Sequence, residues 1–243
     1  MPCVLAKITT AHLLYTRAQS GSKSIMAPRI VALIGGGQAA GKKSVCEAII
    51  KRLREWKVLD VKQLSFEDFK NSEIGQDVNP ESPDAYDFIS ALKAIELCTN
   101  DVLLVEGMYT LYDATMKDLG AIRIYIDVDA DLRLSRRITR DTNNRGLSLQ
   151  EVLDNYLTNG KPAMERYVQP TKVTADAILM RGTEPSGIEL IAGAIYDRLL
   201  ELSTGNTSAD STPAWQSSHG KAIRRTLLGS DLEVSNESFY EVA

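Results

Sequence analysis

Cysteine is scarce in this 243-residue chain: Cys3, Cys46 and Cys98 stand far apart, with no CxxC pair and no metal-ligand spacing. That excludes a disulfide framework and fits the reduced thiols of an intracellular protein. No apolar run approaches the roughly 18 residues needed to cross a bilayer, so no membrane-spanning helix is expected. Positive charge is not in excess either, since the formal net charge is -4. The broad basic field of a non-specific nucleic-acid binder is missing, and neither nucleic acid nor membrane is an expected partner. Acidic residues are absent before Glu47, so the segment from Met1 to Met26 is charged only at Lys7, Arg17 and Lys23. Such an acid-free leader containing Ser and Thr is compatible with mitochondrial import. Its shortage of arginine makes a cytoplasmic protein the expectation and mitochondrial targeting the lesser alternative. What is present, 44% hydrophobic and 25% charged residues, suits one globular domain that needs neither disulfide nor structural metal.

Short apolar runs alternate with longer helical patterns, the sign of α/β units around a parallel sheet. Candidate strands are Arg29 to Gly35, Val58 to Ser65, Asp101 to Glu106, Ile122 to Val128 and Ala175 to Met180. Helices are predicted over Lys42 to Trp56, Ser82 to Cys98, from Asp129 or Asp131 to Asp141, from Ser148 through Tyr156 and beyond, and over Ser186 to Leu202. In the second of these, Ser82 is the expected cap and Pro83 suits the first turn, with Phe88, Leu92, Ile95 and Leu97 on the buried side. Three segments result: an N-terminal extension over 1–27, a domain over 28–202 and a tail over 203–243. The tail's Ser, Thr, Asn, Gly and Asp predict disorder, and its KAIRRTLL stretch, Lys221 to Leu228, reads as a solvated segment in preference to a partner-binding helix.

The stretch IGGGQAAGKKSVC, Ile34 to Cys46, follows a predicted strand and opens a predicted helix. Its frame is Gly36-x4-Gly41-Lys42, with Gly37 inside it, which is the context of a phosphate-binding loop. Glycines let backbone N–H groups turn toward phosphate oxygens, the helix N-terminus adds its dipole, and Lys42 supplies a point charge. The position that should offer magnesium a hydroxyl is Lys43. Sliding the frame by one residue restores a Lys43-Ser44 pair, but puts the Lys42 side chain where the second glycine must be. Gly41-Lys42 is therefore kept. An ammonium cannot ligate a metal, and Ser44, about 100° further round the helix, is a poor replacement. Glu106 ends a core strand, where a carboxylate orients metal-bound water. Glu67 and Asp68 follow the second strand at the edge where α/β sheets bind ligands.

Arg136, Arg137 and Arg140 recur at helical spacing, with Arg136 and Arg140 on one face, and Arg145 follows in a glycine-containing loop. Phosphoryl transfer depends on neutralising charge spread over the transferred group, and closing arginines supply that charge.

From the glycine loop onward the chain resembles the uridine kinase family of P-loop nucleoside kinases, over about Arg29 to Leu200. The strongest part is DVDADLRLSRRITRDTNNRG, Asp127 to Gly146; SPDAYDF, VEGMY, KPAMERYVQPTKVTADAI and MRG are the other matching pieces. The resemblance implies the P-loop NTPase nucleoside-kinase fold, a parallel sheet flanked by helices with an arginine-bearing lid, often in a homo-oligomer. It implies ATP and Mg²⁺ as cofactors and a nucleoside or related small hydroxyl compound as acceptor. By the same resemblance Arg140 and Arg145 face the ATP phosphates and Arg137 lies nearer the acceptor. Glu67 stands where the family has its acceptor-activating aspartate, with Asp68 beside it, and Glu81 where it has its sugar-binding aspartate. Departures are Lys43, Ser82 in place of a histidine, Leu147 in place of an arginine, and a missing base-reading hairpin, since Cys98-Thr99-Asn100 runs straight into the third strand. A site without its base-reading groups loses discrimination, so strict uridine specificity is not implied. The leading expectation is an ATP-dependent phosphotransferase with a divergent acceptor. The alternatives are a catalytically degenerate nucleotide-binding protein with a regulatory or scaffolding role, in which Lys43 partly replaces Mg²⁺, and a domain that binds no nucleotide.

Overall fold

Five strands form the centre of the computed structural model, which describes residues 30–71, 78–180 and 182–204. They are β1 (Ile30–Gly36), β2 (Val61–Ser65), β3 (Val102–Glu106), β4 (Ile122–Ile126) and β5 (Ala177–Leu179). All pair in parallel, in the order β2-β3-β1-β4-β5. The helices are α1 (Lys42–Glu55), α2 (Phe88–Glu96), α3 (Ala114–Leu119), α4 (Ala130–Arg145), α5 (Leu149–Asn155) and α6 (Pro185–Thr204). After α5 the chain stays helical over residues 156–174, with two wide π segments, Tyr156–Gly160 and Met164–Val168, and a 3-10 end, Gln169–Thr174.

Strand side chains alternate between the two faces, and here both faces are apolar, as a covered parallel sheet requires. Ile30, Ala32 and Ile34 join Val102, Leu104, Ile124 and Ile126 on one face, against α1 and α6. Val31 and Leu33 join Leu103, Val105 and Tyr125 on the other, against α2, α3 and the end of the wide helical run. Ile49 and Leu53 of α1 are fully buried; truncating such side chains to alanine costs about 2–5 kcal/mol. Packing of that size fixes the axis of α1, and so the place where its first residue, Lys42, meets the sheet.

Several boundaries differ from the sequence reading. The helix expected from Ser82 begins only at Phe88, because Pro83–Ala85 form a separate 3-10 turn and Tyr86 is extended, bridging to Lys70. Asp87 is the true cap, accepting from Ser90 N at 3.0 Å and Ser90 Oγ at 2.7 Å. Leu97, expected on the buried side, lies past the helix end and is 68% exposed. Helix α3, capped by Asp113 through Met116 N, went unpredicted, since its six residues are too few for periodicity to show. Helix α4 runs past Asp141 to Arg145 before Gly146 ends it in the left-handed region, so Arg145 is helical and not in a loop. The cap at Ser148 is as predicted: Ser148 and Glu151 form a reciprocal capping box. Ser203 and Thr204, assigned to the tail, close α6; the N-terminal extension, Arg29, Arg181 of the MRG match and residues 205–243 with KAIRRTLL lie outside the described residues.

The register brings Ile34 of β1 and Ser65 of β2 level with Glu106 of β3. From β1 the chain crosses to one side toward β2, while β4 lies on the other. That reversal beside β1 leaves a crevice at the carboxyl ends of the strands, the place where open α/β sheets bind ligands.

Candidate active site

The loop between β1 and α1 is built around Gly41, which sits at φ 89° and ψ 24° as the residue before the helix. A side chain there would find open space, with nothing within 4 Å of an added Cβ, but the left-handed backbone favours glycine. This is the register in which Gly41 turns the chain and Lys42 is the first helical residue. Lys42 is buried, and its ammonium donates to the carbonyl oxygens of Gly36 at 3.2 Å and Gly37 at 2.9 Å. Burial lowers its pKa below the ordinary lysine value, helped by Arg140 and Arg133 and opposed by Glu106 and Glu67. A cation partly stripped of water, held by two neutral carbonyls, is poised to exchange them for a charged phosphate oxygen.

Lys42 forms the floor of an open cleft of about 490 Å³. Gly41, Lys43 and Glu106 line its loop end, Glu67, Lys70 and Glu81 its far side, and Arg137, Arg140 and Arg145 the wall formed by α4. Four of the predicted residues are absent from that lining: Ser44 and Asp68 are exposed outside it, and Gly36 and Gly37 take part only through the carbonyls that hold Lys42. Glu106 is nearly buried and accepts a 2.8 Å hydrogen bond from Ser65 Oγ. Glu67 accepts from the Tyr86 hydroxyl at 2.9 Å. Burial, then the Glu67 charge, pushes the Tyr86 hydroxyl well above its usual range, so it stays protonated and donates.

At the far side Glu81 and Arg137, each 5% exposed, form a bidentate pair with contacts of 2.6 and 3.2 Å. The Tyr109 hydroxyl donates to the Glu81 carbonyl, and the Arg137 guanidinium lies 5.8 Å from the Tyr156 ring centroid. Gly160 closes this pair from the wide helical run: a Cβ there would stand 2.6 Å from Arg137 Nη1 and 2.8 Å from Glu81 Oε2.

The arginines divide differently from the sequence reading. Arg136, expected on the face of Arg140, is exposed and lines no part of the cleft. Arg133, which had not been singled out, holds the Val128 carbonyl at 2.9 Å and approaches Gly37 so closely that a Cβ there would meet its Nη1 at 2.5 Å. The spacing 133, 137 and 140 is an i, i+4, i+7 stripe, and that signal was available in the sequence. Asp141 was missed as well. It is 2% exposed, and Arg137, Arg140 and Arg145 all reach its carboxylate. Burial alone would raise its pKa, but the hydrogen bonds and charge of Arg140, with Arg145 and Arg137, hold the carboxyl below its usual range.

For Mg²⁺ the oxygen donors are uneven. Mg²⁺ takes one or two carboxylates together with waters and substrate phosphates, and Glu106 and Glu67 can supply the carboxylates. The head of α1 offers no hydroxyl, because Lys43 has no lone pair and Ser44 is outside the cleft; the loop's side-chain oxygen at the cleft is that of the Gln38 amide, buried and without a hydrogen-bond partner. Among the described residues no cluster of three or more His, Cys, Asp or Glu side chains is placed to hold a metal alone.

The family model described as "Phosphoribulokinase / Uridine kinase family" matches residues 66–186. Uridine-cytidine kinase 2-B of Danio rerio is 33% identical over 222 residues, covering 75% of this chain and 84% of that protein. The uridine kinase of Macrococcus caseolyticus is 32% identical over 178 residues, 61% of this chain and 86% of that one. The chloroplastic uridine/cytidine kinase UKL1 of Arabidopsis thaliana is 34% identical over 199 residues, which cover 68% of this chain and 41% of the plant protein. The chain thus spans well under half the length of the plant relative.

Proposed function

The chain belongs to the phosphoribulokinase/uridine kinase family, and on that premise we propose that it transfers the terminal phosphoryl group of ATP to a hydroxyl of a nucleoside or a related small molecule. The observation that carries this reading is the cleft itself. It joins a buried loop lysine, two arginines of α4 and the Glu67 carboxylate at the carboxyl ends of the strands.

In this mechanism Lys42 and the loop amides hold the donor phosphates, and Arg140 and Arg145 neutralise charge on the transferred group. Glu67 takes the proton of the acceptor hydroxyl as the acceptor oxygen bonds to phosphorus and the bond to the ADP oxygen breaks. Of the two candidate bases, Glu67 is favoured over Asp68 because only Glu67 lines the cleft. Its hydrogen bond from Tyr86 fixes the carboxylate's orientation and leaves the other oxygen to accept. Glu81 and Arg137 hold the acceptor, offering paired acceptor and donor atoms to neighbouring hydroxyls. Mg²⁺, held through Glu106, would supply further charge neutralisation at the phosphates.

The acceptor is left open by the connection between α2 and β3, residues 97–101, none of which lines the cleft. Asn100 and Asp101 both bond to Asp60, away from the cleft. A screen of hydroxyl acceptors including uridine and cytidine, followed by ATP consumption, tests the proposal. Folded protein that binds Mg-ATP and turns over none of them refutes it.

Lys43 favours a second reading, a nucleotide-binding protein that has lost catalysis, because an ammonium lines the cleft where a metal-binding hydroxyl is expected. It predicts ATP affinity that is indifferent to magnesium. A calorimetric titration with and without the metal separates the two.

A further inference from the structure

A carboxylate with 2% exposure is costly to bury unless it is fully paired. Asp141 is paired three times over. Arg140 reaches it through Nε at 2.8 Å and Nη2 at 3.2 Å, Arg145 through Nη1 at 3.4 Å, and Arg137 through Nε at 3.6 Å. These partners do not share one task. Arg140 and Arg145 stand on the donor side of the cleft, and Arg137 carries Glu81 on the acceptor side.

The geometry follows from the helix. Arg137 and Arg145 lie one turn before and after Asp141 on the same face, and Arg140 folds back from the neighbouring position. The Arg145 side chain is 61% exposed. Without Asp141 it would be a solvated chain carrying about 2 kcal/mol of rotamer entropy, to be lost when it binds phosphate.

We propose that Asp141 is a positioning residue: its carboxylate orders Arg140 and Arg145 toward the cleft before the nucleotide arrives, and ties them to the Arg137–Glu81 pair. The inference rests on the nucleotide-binding reading above. It also has a sign that simple electrostatics opposes. Removing the negative charge makes the cleft more positive, which by attraction alone tightens the binding of a polyanion. Loss of order weakens binding instead, and the proposal is that this effect is the larger.

The test is a double-mutant cycle on the full chain, with ATP affinity measured by calorimetry for wild type, Asp141→Asn, Arg145→Gln and the double variant. Each single substitution is expected to weaken ATP binding about tenfold, the size of one charge-assisted hydrogen bond. In the Asp141→Asn background Arg145→Gln should cost less than about twofold, because a disordered arginine has little left to lose. A role confined to fold stability would lower the melting temperature without making the two substitutions non-additive. If Asp141→Asn binds ATP as tightly as wild type or tighter, or if the arginine costs the same in both backgrounds, the positioning role is wrong and the kinase reading stands. If wild type does not bind ATP, the kinase reading fails and takes this inference with it. If the amide variant does not fold, Asp141→Glu carries the test, since it keeps the charge and moves the carboxylate by one methylene. Positioning predicts weakened ATP binding for that variant too, and unchanged binding overturns it.

Discussion

Replacing Glu81 by alanine strands a buried cation. Arg137 is 5% exposed and loses both of its short hydrogen bonds, keeping only the 3.6 Å contact with Asp141 and the face of Tyr156. Removing one partner of a buried ion pair typically costs about 3–5 kcal/mol. The residual Asp141 contact places Glu81→Ala at the lower end, about 3 kcal/mol. For a domain of this size each kcal/mol lowers the melting temperature by roughly 2–4 °C, so a drop of roughly 6–12 °C is expected in a thermal scan. Arg137→Met should cost a similar amount, because it strands Glu81. The informative variant is the double one, Glu81→Met with Arg137→Met, which removes both charges and fills the space with apolar atoms. Replacement of a whole buried pair is often neutral or stabilising, so the double variant should melt within about 3 °C of wild type while losing acceptor binding. A double variant as unstable as either single one would refute the argument. So would a single variant that melts like wild type. Either result would mean that the pair is not the closely desolvated bridge its burial implies.

Three further outcomes concern the phosphate loop. Gly41→Ala forces an L-residue to φ 89°, costing about 1–2 kcal/mol, and should abolish most ATP binding while lowering the melting temperature by a few degrees; unchanged ATP affinity would show that the loop does not hold phosphate. Lys43→Ser restores a hydroxyl at the head of α1 and should make ATP affinity rise with added Mg²⁺, measured by calorimetry at constant ionic strength; equal affinities with and without metal would remove Lys43 from any role at the metal position. The pKa of Lys42 is depressed by burial, so the unfolded chain binds that proton more tightly and Lys42 contributes stability that increases as pH rises from its folded pKa toward the ordinary 10.5. The urea midpoint of wild type relative to Lys42→Met should therefore climb over that window, and a flat or falling difference would contradict the assignment.

Much of the architecture was legible because strand alternation and glycine placement are local signals. IVALIG carries side chains for two opposite cores, and Gly36-x4-Gly41-Lys42 can bend in few ways between a strand and a helix. Ser148 was legible as a cap because Glu151 stands three residues on. Ser82 misled because its neighbour Pro83 suits a first helical turn equally well in a 3-10 turn, and only the bridge between Tyr86 and Lys70 decides which forms. In the site, Lys42, Glu67, Glu81, Glu106 and the arginines were legible as chemistry-bearing residues at strand ends or on one helix. The division between Arg133 and Arg136 was not, since choosing a face of α4 requires knowing what packs beneath it. Asp141 was invisible for a different reason. A single acid in a run of arginines reads as a surface charge, and its burial is a tertiary fact.

The wide turns over residues 156–168 set a limit on how this chain can change length. A π turn is an α-helix with one residue inserted, so deleting a residue from Tyr156–Gly160 would restore a regular repeat and keep every backbone hydrogen bond available. The flanking turns would keep their facing, because a wide turn completes the same rotation as an α turn with one residue more. What would change is the wide turn itself, where Tyr156 covers the Arg137 guanidinium and Gly160 leaves room for the Arg137–Glu81 pair. The helix would survive the edit and the widening that seats this pair would not, which makes the length of this segment as much a part of the cleft as the identity of its residues.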